Sequence, residues 1–428
     1  MVEFFAGLAA LLVLILLRVP VGLALGLVGF FGYGYFLDLG IAGKMAAGVA
    51  FELGAYSLSV IPLFVLMGNF VSSSGLGHDL FRAAYTFIGR LPGGLAISSI
   101  LASGGFAAIS GSSVASAATM AKVSYPPMRS FHYSAPFSLA TIAAGGTLGI
   151  LIPPSVILII YGILAEQNIA KLFLAGVLPG ILGMVLYVCA VMWVIWRNPT
   201  AGPRGESFGW KERLASLYPV WGVVALFTLV IGGMYGGIFT ATEGAGIGAF
   251  GAFVLAILRR NMDCRQLQKA VAGAVRTTGT LFPILLGSMI MGNFIGMTGA
   301  PEAFAALVQE IDPQPWMLLL LITLLYLFLG CFFESFSTLF VTIPILLPLV
   351  DAAGIDLIWF GVFVVVLIEI GLLTPPFGMN VFVLTSALRE IDPGPVFRAL
   401  VPFLVADLVR IAVLMLWPAL VLWLPNRM

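Results

Sequence analysis

"GGTLGILIPPSVILIIYG", Gly145 to Gly162, sits inside a long apolar run and yet carries glycines and two adjacent prolines. A helix in lipid must satisfy its own backbone groups, since no water is present to bond exposed N–H and C=O. Pro153 and Pro154 lack the N–H and clash with the preceding turn, so a helix must break there. Gly145, Gly146 and Gly149 allow other backbone to approach closely. The unwound segment bares carbonyl oxygens that each cost roughly several kcal/mol in hydrocarbon. A coordinated cation offsets that cost. The helix that restarts beyond the break presents free N–H groups and a positive dipole end, which attract an anion. One interruption thus suits a cation and an anion together.

The surrounding composition sets the medium. Of 428 residues, 61% are apolar and 9% charged, with mean hydropathy +1.11, which marks a polytopic membrane chain rather than a soluble domain. A net charge of +1 gives no basis for nucleic-acid binding. Cys189, Cys264 and Cys331 are far apart and make no ligand spacing, and with only His78 and His132 a His-rich metal site is not expected. The N-terminal run has Glu3 where a signal peptide has basic residues, and no small-residue cleavage site precedes Arg18, so it reads as a retained span.

Cutting at charges and turn residues gives ten spans, from Phe4–Leu17 to Leu400–Leu424, with the broken ones at Pro136–Ala165 and Leu357–Leu388. Two further stretches are read as re-entrant hairpins, tolerated only when buried in protein. The first, Gly94–Met120, is rich in Gly, Ser and Ala; the second, Trp316–Leu349, breaks at "GCFFESFST". With the N-terminus outside and both hairpins returning, only Lys44, Lys171 and Arg427 of the 20 Lys and Arg fall outside. Arg410 lies within a span and the other sixteen, Arg260 and Arg389 among them, fall inside; the outside loops are acidic, as at Asp312. Both termini are therefore expected to face outward.

The element order repeats. Residues 56–200 run span, amphipathic segment (78–91), an inner hairpin at about 94–121, then the broken span; residues 271–428 run span, amphipathic segment (301–311), an outer hairpin at about 316–350, then a span broken at "IGLLTPPFGMN" (Ile370–Asn380). Residues 201–270 connect them. Pro153–Pro154 and Pro375–Pro376 occupy corresponding places in halves of opposite orientation. Inverted repeats with matched interruptions are the sequence mark of a secondary transporter. The tip "SGSS" (Ser110–Ser113) reads as ligand-bearing, whereas the small residues beyond Ser113 read as tight helix packing.

With these motifs in view, the chain resembles the large membrane subunit of tripartite ATP-independent periplasmic (TRAP) transporters. The resemblance is densest in "IPLFVLMG" (Ile61–Gly68), "SGSSVASAATM" (Ser110–Met120), "AAGGTLGILIPPSVILIIYGI" (Ala143–Ile163), "FTATEGAGIGA" (Phe239–Ala249) and "EIGLLTPPFGMNVFV" (Glu369–Val383). It implies an all-α, inverted-repeat, elevator-type fold in a bacterial inner membrane. It also implies import of small organic anions such as dicarboxylates or sialic acid, driven by sodium. Two partners follow: a small four-helix membrane subunit and a soluble periplasmic binding protein. By the same resemblance Ser110, Gly111, Ser112 and Ser113 form the inner tip, with Gly146, Thr147 and Gly149 around one sodium ion. Glu334, Ser335 and Ser337 belong to the outer tip, with Thr374, Gly378, Met379 and Asn380 around a second. The substrate carboxylate would lie between, near Ser112, Ser113, Thr147, Ser337 and Asn380. Ala241 stands where family members often carry proline.

The remaining charges have local explanations. Glu243 closes a Thr240-x-x-Glu capping box. Asp407 and Arg410 lie three apart on one helical face, the spacing of a mutual ion pair. Glu369, just before the second break, fits contacts to the static part of the molecule. Glu334 either helps hold a cation at the outer gate or pairs with an arginine; the residues leave both open. A standalone symporter that needs no binding protein is the nearest rival. A membrane enzyme or proton-pump subunit would need a relay of His, Asp and Glu, and here the acids are isolated in the sequence.

Overall fold

A computed structural model of the chain describes residues 2–259, 262–311, 314–331, 333–376, 378–388 and 392–428. Arg260, Arg389 and Asp312, used above for orientation, lie outside the described residues. Among the described residues every regular element is helical.

The first helices, α1 (Val2–Leu16) and α2 (Val21–Phe36), are followed by one that the apolar pattern did not reveal, α3 (Leu39–Glu52). It starts at Asp38, whose side chain accepts from the Gly40 and Ile41 amides. At 14 residues with Lys44 and Glu52 in it, α3 is too short for a span, which is why hydropathy passed over it. Next come α4 (Val60–Ser73) and the amphipathic α5 (Leu76–Ile88). The inner hairpin is α6 (Gly94–Ser110) and α7 (Ser113–Ser130). Its returning arm runs past residue 121 because Ser124, Tyr125 and Met128 continue the buried face.

The first broken span is α8 (Ala135–Thr147), one 3-10 turn (Leu148–Ile150), a non-helical stretch to Ser155, and α9 (Val156–Leu164). The long α10 (Ile169–Arg197) follows, then α11 (Trp210–Leu217), α12 (Trp221–Phe227) and α13 (Gly233–Tyr235), the last two joined by a π-helical turn. After α14 (Ala241–Leu258) and α15 (Cys264–Met297) come the amphipathic α16 (Ala300–Ile311) and the outer hairpin, α17 (Pro315–Gly330) and α18 (Ser335–Ala352). The second broken span is α19 (Leu357–Gly371) and α20 (Met379–Leu388); α21 (Pro393–Leu416) and α22 (Ala419–Leu422) close the chain.

Among the described residues, seven helical segments of 18 or more residues are apolar enough to cross a membrane by length and composition, α18 among them. The two broken spans are not in that group, because each is cut into shorter helices.

Buried apolar side chains gather in two cores. One holds Phe64 of α4, Phe173 of α10, Phe294 of α15, Phe340 of α18 and Phe363 of α19. The other holds Phe137 at the start of α8 and Leu148 beside the first break together with Tyr187 of α10, Leu384 of α20 and Phe403 of α21. The second core is what positions the site: it draws the helix after the second break into the pocket of side chains around the first. Each hairpin's leading arm also lies directly on a broken span. A Cβ added at Gly145 would lie 2.8 Å from Ser103 Oγ of α6, and one at Gly371 would lie 2.7 Å from Gly330 Cα of α17.

Candidate functional site

Gly111 turns the inner hairpin in the left-handed region (φ 62°), where a side chain is strained. Ser112, extended, then caps α7: its Oγ accepts from the Ala115 amide at 3.4 Å. Ser110 Oγ meets Ser116 Oγ at 2.6 Å across the turn. The first break packs straight onto this tip. A Cβ on Gly149 would lie 2.8 Å from both the Ser112 carbonyl oxygen and Ser116 Oγ, and one on Gly146 would lie 2.6 Å from Ala117 Cβ. Glycine is needed at both places for lack of room.

Beyond the break, Ser155 restarts the helix. Its hydroxyl donates to the Ile150 carbonyl and accepts from the Leu158 amide at 3.3 Å, so it ties the two sides of the interruption together. Leu151 through Ser155 are all buried.

The second break is built differently. Thr374 Oγ1 donates back to the Ile370 carbonyl at 2.7 Å, Pro375 and Pro376 are exposed, and Gly378 (φ 43°) turns the chain into α20. Both Pro–Pro bonds are cis. Met379 is exposed, but Asn380 is fully buried and points back into the first half. Its Nδ2 donates to Ser113 Oγ at 2.7 Å and to the Ala143 carbonyl at 3.2 Å, while its Oδ1 has no partner. A fully buried amide oxygen with nothing to accept from is costly unless something else is there to donate or coordinate.

Ser110, Gly111, Ser112, Ser113, Gly146, Gly149 and Asn380 therefore come together, whereas the Thr147 hydroxyl turns to Tyr187 of α10, 3.1 Å away. Among the described residues the outer tip makes no hydrogen bond to this group, and its Gly330 end packs on Gly371 beside the second break. Glu334 is the extended residue before α18 and Thr338 Oγ1 donates to its carbonyl at 3.2 Å; Ser335 and Ser337 are buried. Among the described residues no hydrogen bond joins this tip to Thr374, Gly378 or Met379, and no basic side chain pairs with Glu334. Asn380, grouped above with the second break, makes its side-chain bonds at the first.

The gathered groups are hydroxyl, amide and carbonyl oxygens with no carboxylate at the inner tip, a donor set that suits a monovalent cation and a carboxylate ligand rather than a transition metal.

A family model described as "Tripartite ATP-independent periplasmic transporter, DctM component" matches residues 8–420. The chain belongs to this family. It is 36% identical over 374 residues to the C4-dicarboxylate TRAP transporter large permease protein DctM of Pseudomonas aeruginosa, spanning 87% of this chain and 86% of that one. It is 32% identical to the sialic acid TRAP transporter large permease protein SiaM of Vibrio cholerae, over 87% of this chain and 86% of that one. The fold is also that of the Alcanivorax borkumensis YdaH transporter, at a TM-score of 0.62 over 89% of this chain and 90% of that chain, with 14% identity.

Behind the break of this TRAP permease lies a polar cluster that sequence reasoning foresaw only in part. The expected Asp407–Arg410 pair is present at 2.8 Å, and Arg410 also bonds Glu369, so three charges meet where the sequence suggested two. Tyr187 joins them through Asp407. An acid inside an apolar run was the signal for Glu369; Tyr187, one aromatic among many, had none. Ser155 was missed too, although a serine after Pro–Pro is a ready N-cap.

Proposed function

We propose that the chain is the large membrane subunit of a sodium-coupled importer of small organic anions, which it receives from a soluble periplasmic binding protein. The observation that carries this is Asn380. It crosses from the second broken span to the inner hairpin and the first broken span, and its buried Oδ1 is left free for a ligand. A site built from both inverted halves at their interruptions is where secondary transporters hold substrate and coupling ions.

Two sodium ions are assigned, one beside Ser110–Ser112 with Gly146, Thr147 and Gly149, the other beside Thr374, Gly378 and Met379 with Glu334 and Ser337. The substrate carboxylate lies between them near Ser112, Ser113, Thr147, Ser337 and Asn380. The names of the relatives favour carboxylates and sugar acids as cargo. The chain acts as a transporter, not an enzyme. The word tripartite in the family name supports two partners, the binding protein and a small four-helix membrane subunit. The protein sits in the inner membrane with both termini periplasmic.

Movement is by an elevator in which the halves 56–200 and 271–428 each supply a hairpin and a broken span, joined by 201–270. The amphipathic α5 fits the part of an arm. Arg259 at the end of α14 pairs with its Asp79, and its Thr86 meets Ser216 of α11 at 2.8 Å, while its other face lies on the inner hairpin. Each net charge carried inward across 100 mV contributes about 2.3 kcal/mol.

Uptake into proteoliposomes with the binding protein present tests the proposal. Accumulation should need inward sodium and the loaded binding protein. Ser112→Ala and Thr374→Ala should each raise the sodium concentration required while expression holds. Uptake that persists without sodium defeats the coupling, and uptake without the binding protein points to a standalone symporter.

A further inference from the structure

The two breaks are joined by a second route that does not pass through Asn380. Thr147 is the last residue of α8 before the first break, and its Oγ1 lies 3.1 Å from Tyr187 OH. Tyr187 spends its single proton on Asp407, 3.0 and 2.9 Å from the two carboxylate oxygens, so Thr147 is the donor to Tyr187. Thr147 shares that proton with the Ala144 carbonyl, 2.7 Å away. Arg410 Nη2 bonds Asp407 Oδ1 at 2.8 Å and also bonds Glu369 Oε2. Glu369 stands on α19 three residues before Leu372, where the second break begins. All five side chains are buried.

The arrangement is a poor one for stability alone. A guanidinium is held best by a bidentate fork. Here both carboxylates bond the same nitrogen, while Nε, Nη1 and Glu369 Oε1 have no partner. Buried ion pairs of this kind are often matched or bettered by well-packed apolar residues. What the geometry does provide is a continuous set of hydrogen bonds from the end of α8, through α10 and α21, to the end of α19.

We propose that Thr147, Tyr187, Asp407, Arg410 and Glu369 form a positioning relay that couples the two breaks, so that filling one sodium position orders the other and the ions load cooperatively. The proposal rests on the sodium-coupled reading above. An ion that fixes the α8 end holds Thr147, and through the relay it holds the α19 end; the second ion then has less ordering left to impose. Shared ordering of this kind is positive cooperativity without any direct contact between ligands.

The test is the sodium dependence of uptake by the reconstituted complex with its binding protein, for wild type, Tyr187→Phe and Gly183→Ala. The first removes one hydroxyl and keeps the ring. The second presses a methyl group from α10 against the Arg410 guanidinium and deletes no polar group. Melting temperature in detergent reports folding.

In wild type the Hill coefficient for sodium should approach the number of coupled sites. In both variants it should fall toward one, with half-saturating sodium raised about fivefold or more and the maximal rate largely kept. A purely structural role would lower the melting temperature and leave the Hill coefficient alone. Unchanged sodium curves in folded variants overturn the relay and spare the sodium reading, as does a wild-type Hill coefficient of one. Wild-type uptake indifferent to sodium defeats both. Loss of folded protein in both variants assigns the cluster to stability and also overturns the relay.

Discussion

The two interruptions share a Pro–Pro pair but not an environment. At the first, every residue from Leu151 to Ser155 is buried, a serine restarts the helix, and the inner hairpin tip closes over the glycines. At the second, Pro375, Pro376 and Met379 are exposed, and the outer hairpin makes no hydrogen bond to them among the described residues. The outer hairpin is nonetheless well formed: Tyr326 of α17 bonds Thr342 of α18 much as Ser99 of α6 meets Ser124 of α7, at 3.0 Å. The lesson is that proline dictates where a helix must stop, while the neighbours decide whether the stop is sealed.

That contrast can be broken most directly by labelling. In a background free of Cys189, Cys264 and Cys331, Met379→Cys should react readily with a membrane-permeant maleimide. Leu151→Cys, fully buried at the first break, should stay unreacted in the folded protein. Equal rates would mean that the asymmetry does not hold in the membrane.

Stability should divide along the same line. Arg410→Met leaves Glu369 and Asp407 buried without their counter-charge, and should cost about 3–5 kcal/mol, read as a large drop in melting temperature. Asn380→Leu strands Ser113 Oγ and the Ala143 carbonyl, and should cost about 1–3 kcal/mol. Its exposed neighbour offers the control, since Met379→Leu should stay within about 0.5 kcal/mol of wild type. The smallest difference is expected at the hairpin tips. Ser112→Ala and Glu334→Ala each remove an acceptor facing the first amides of a returning hairpin arm, Ala115 in one case and Phe336 and Ser337 in the other, and each should cost about 1 kcal/mol. If Glu334→Ala proves the more damaging of the two, the outer tip is held by something other than its own cap.

Much of this architecture was legible in the chain. Both amphipathic helices lie within three residues of the expected ends, and both hairpins reverse at the tips that glycine, serine and the "ESFST" stretch announced. The TRAP family was legible too, because several long motifs follow in order. What stayed hidden has a common cause. Nothing local marks α3, which is neither long enough nor apolar enough to register as a span. The third member of the charge cluster, Glu369, lies 41 residues from Arg410, so helical spacing could reveal Asp407 and nothing more.

The sequence by itself determined where helices end, because the missing N–H of proline and the missing side chain of glycine act within a few residues of where they stand. It determined the inverted repetition as well, since that is a matter of order along the chain. Only the tertiary structure decided which ends meet. Asn380 reaches Ser113 across 267 residues, and Tyr187 reaches Asp407 across 220, through packing of helices whose apolar faces are chemically interchangeable. Burial of one break and exposure of the other follow from that packing, and in lipid the contacts that select it are close fit and a few polar bonds rather than hydrophobic pattern.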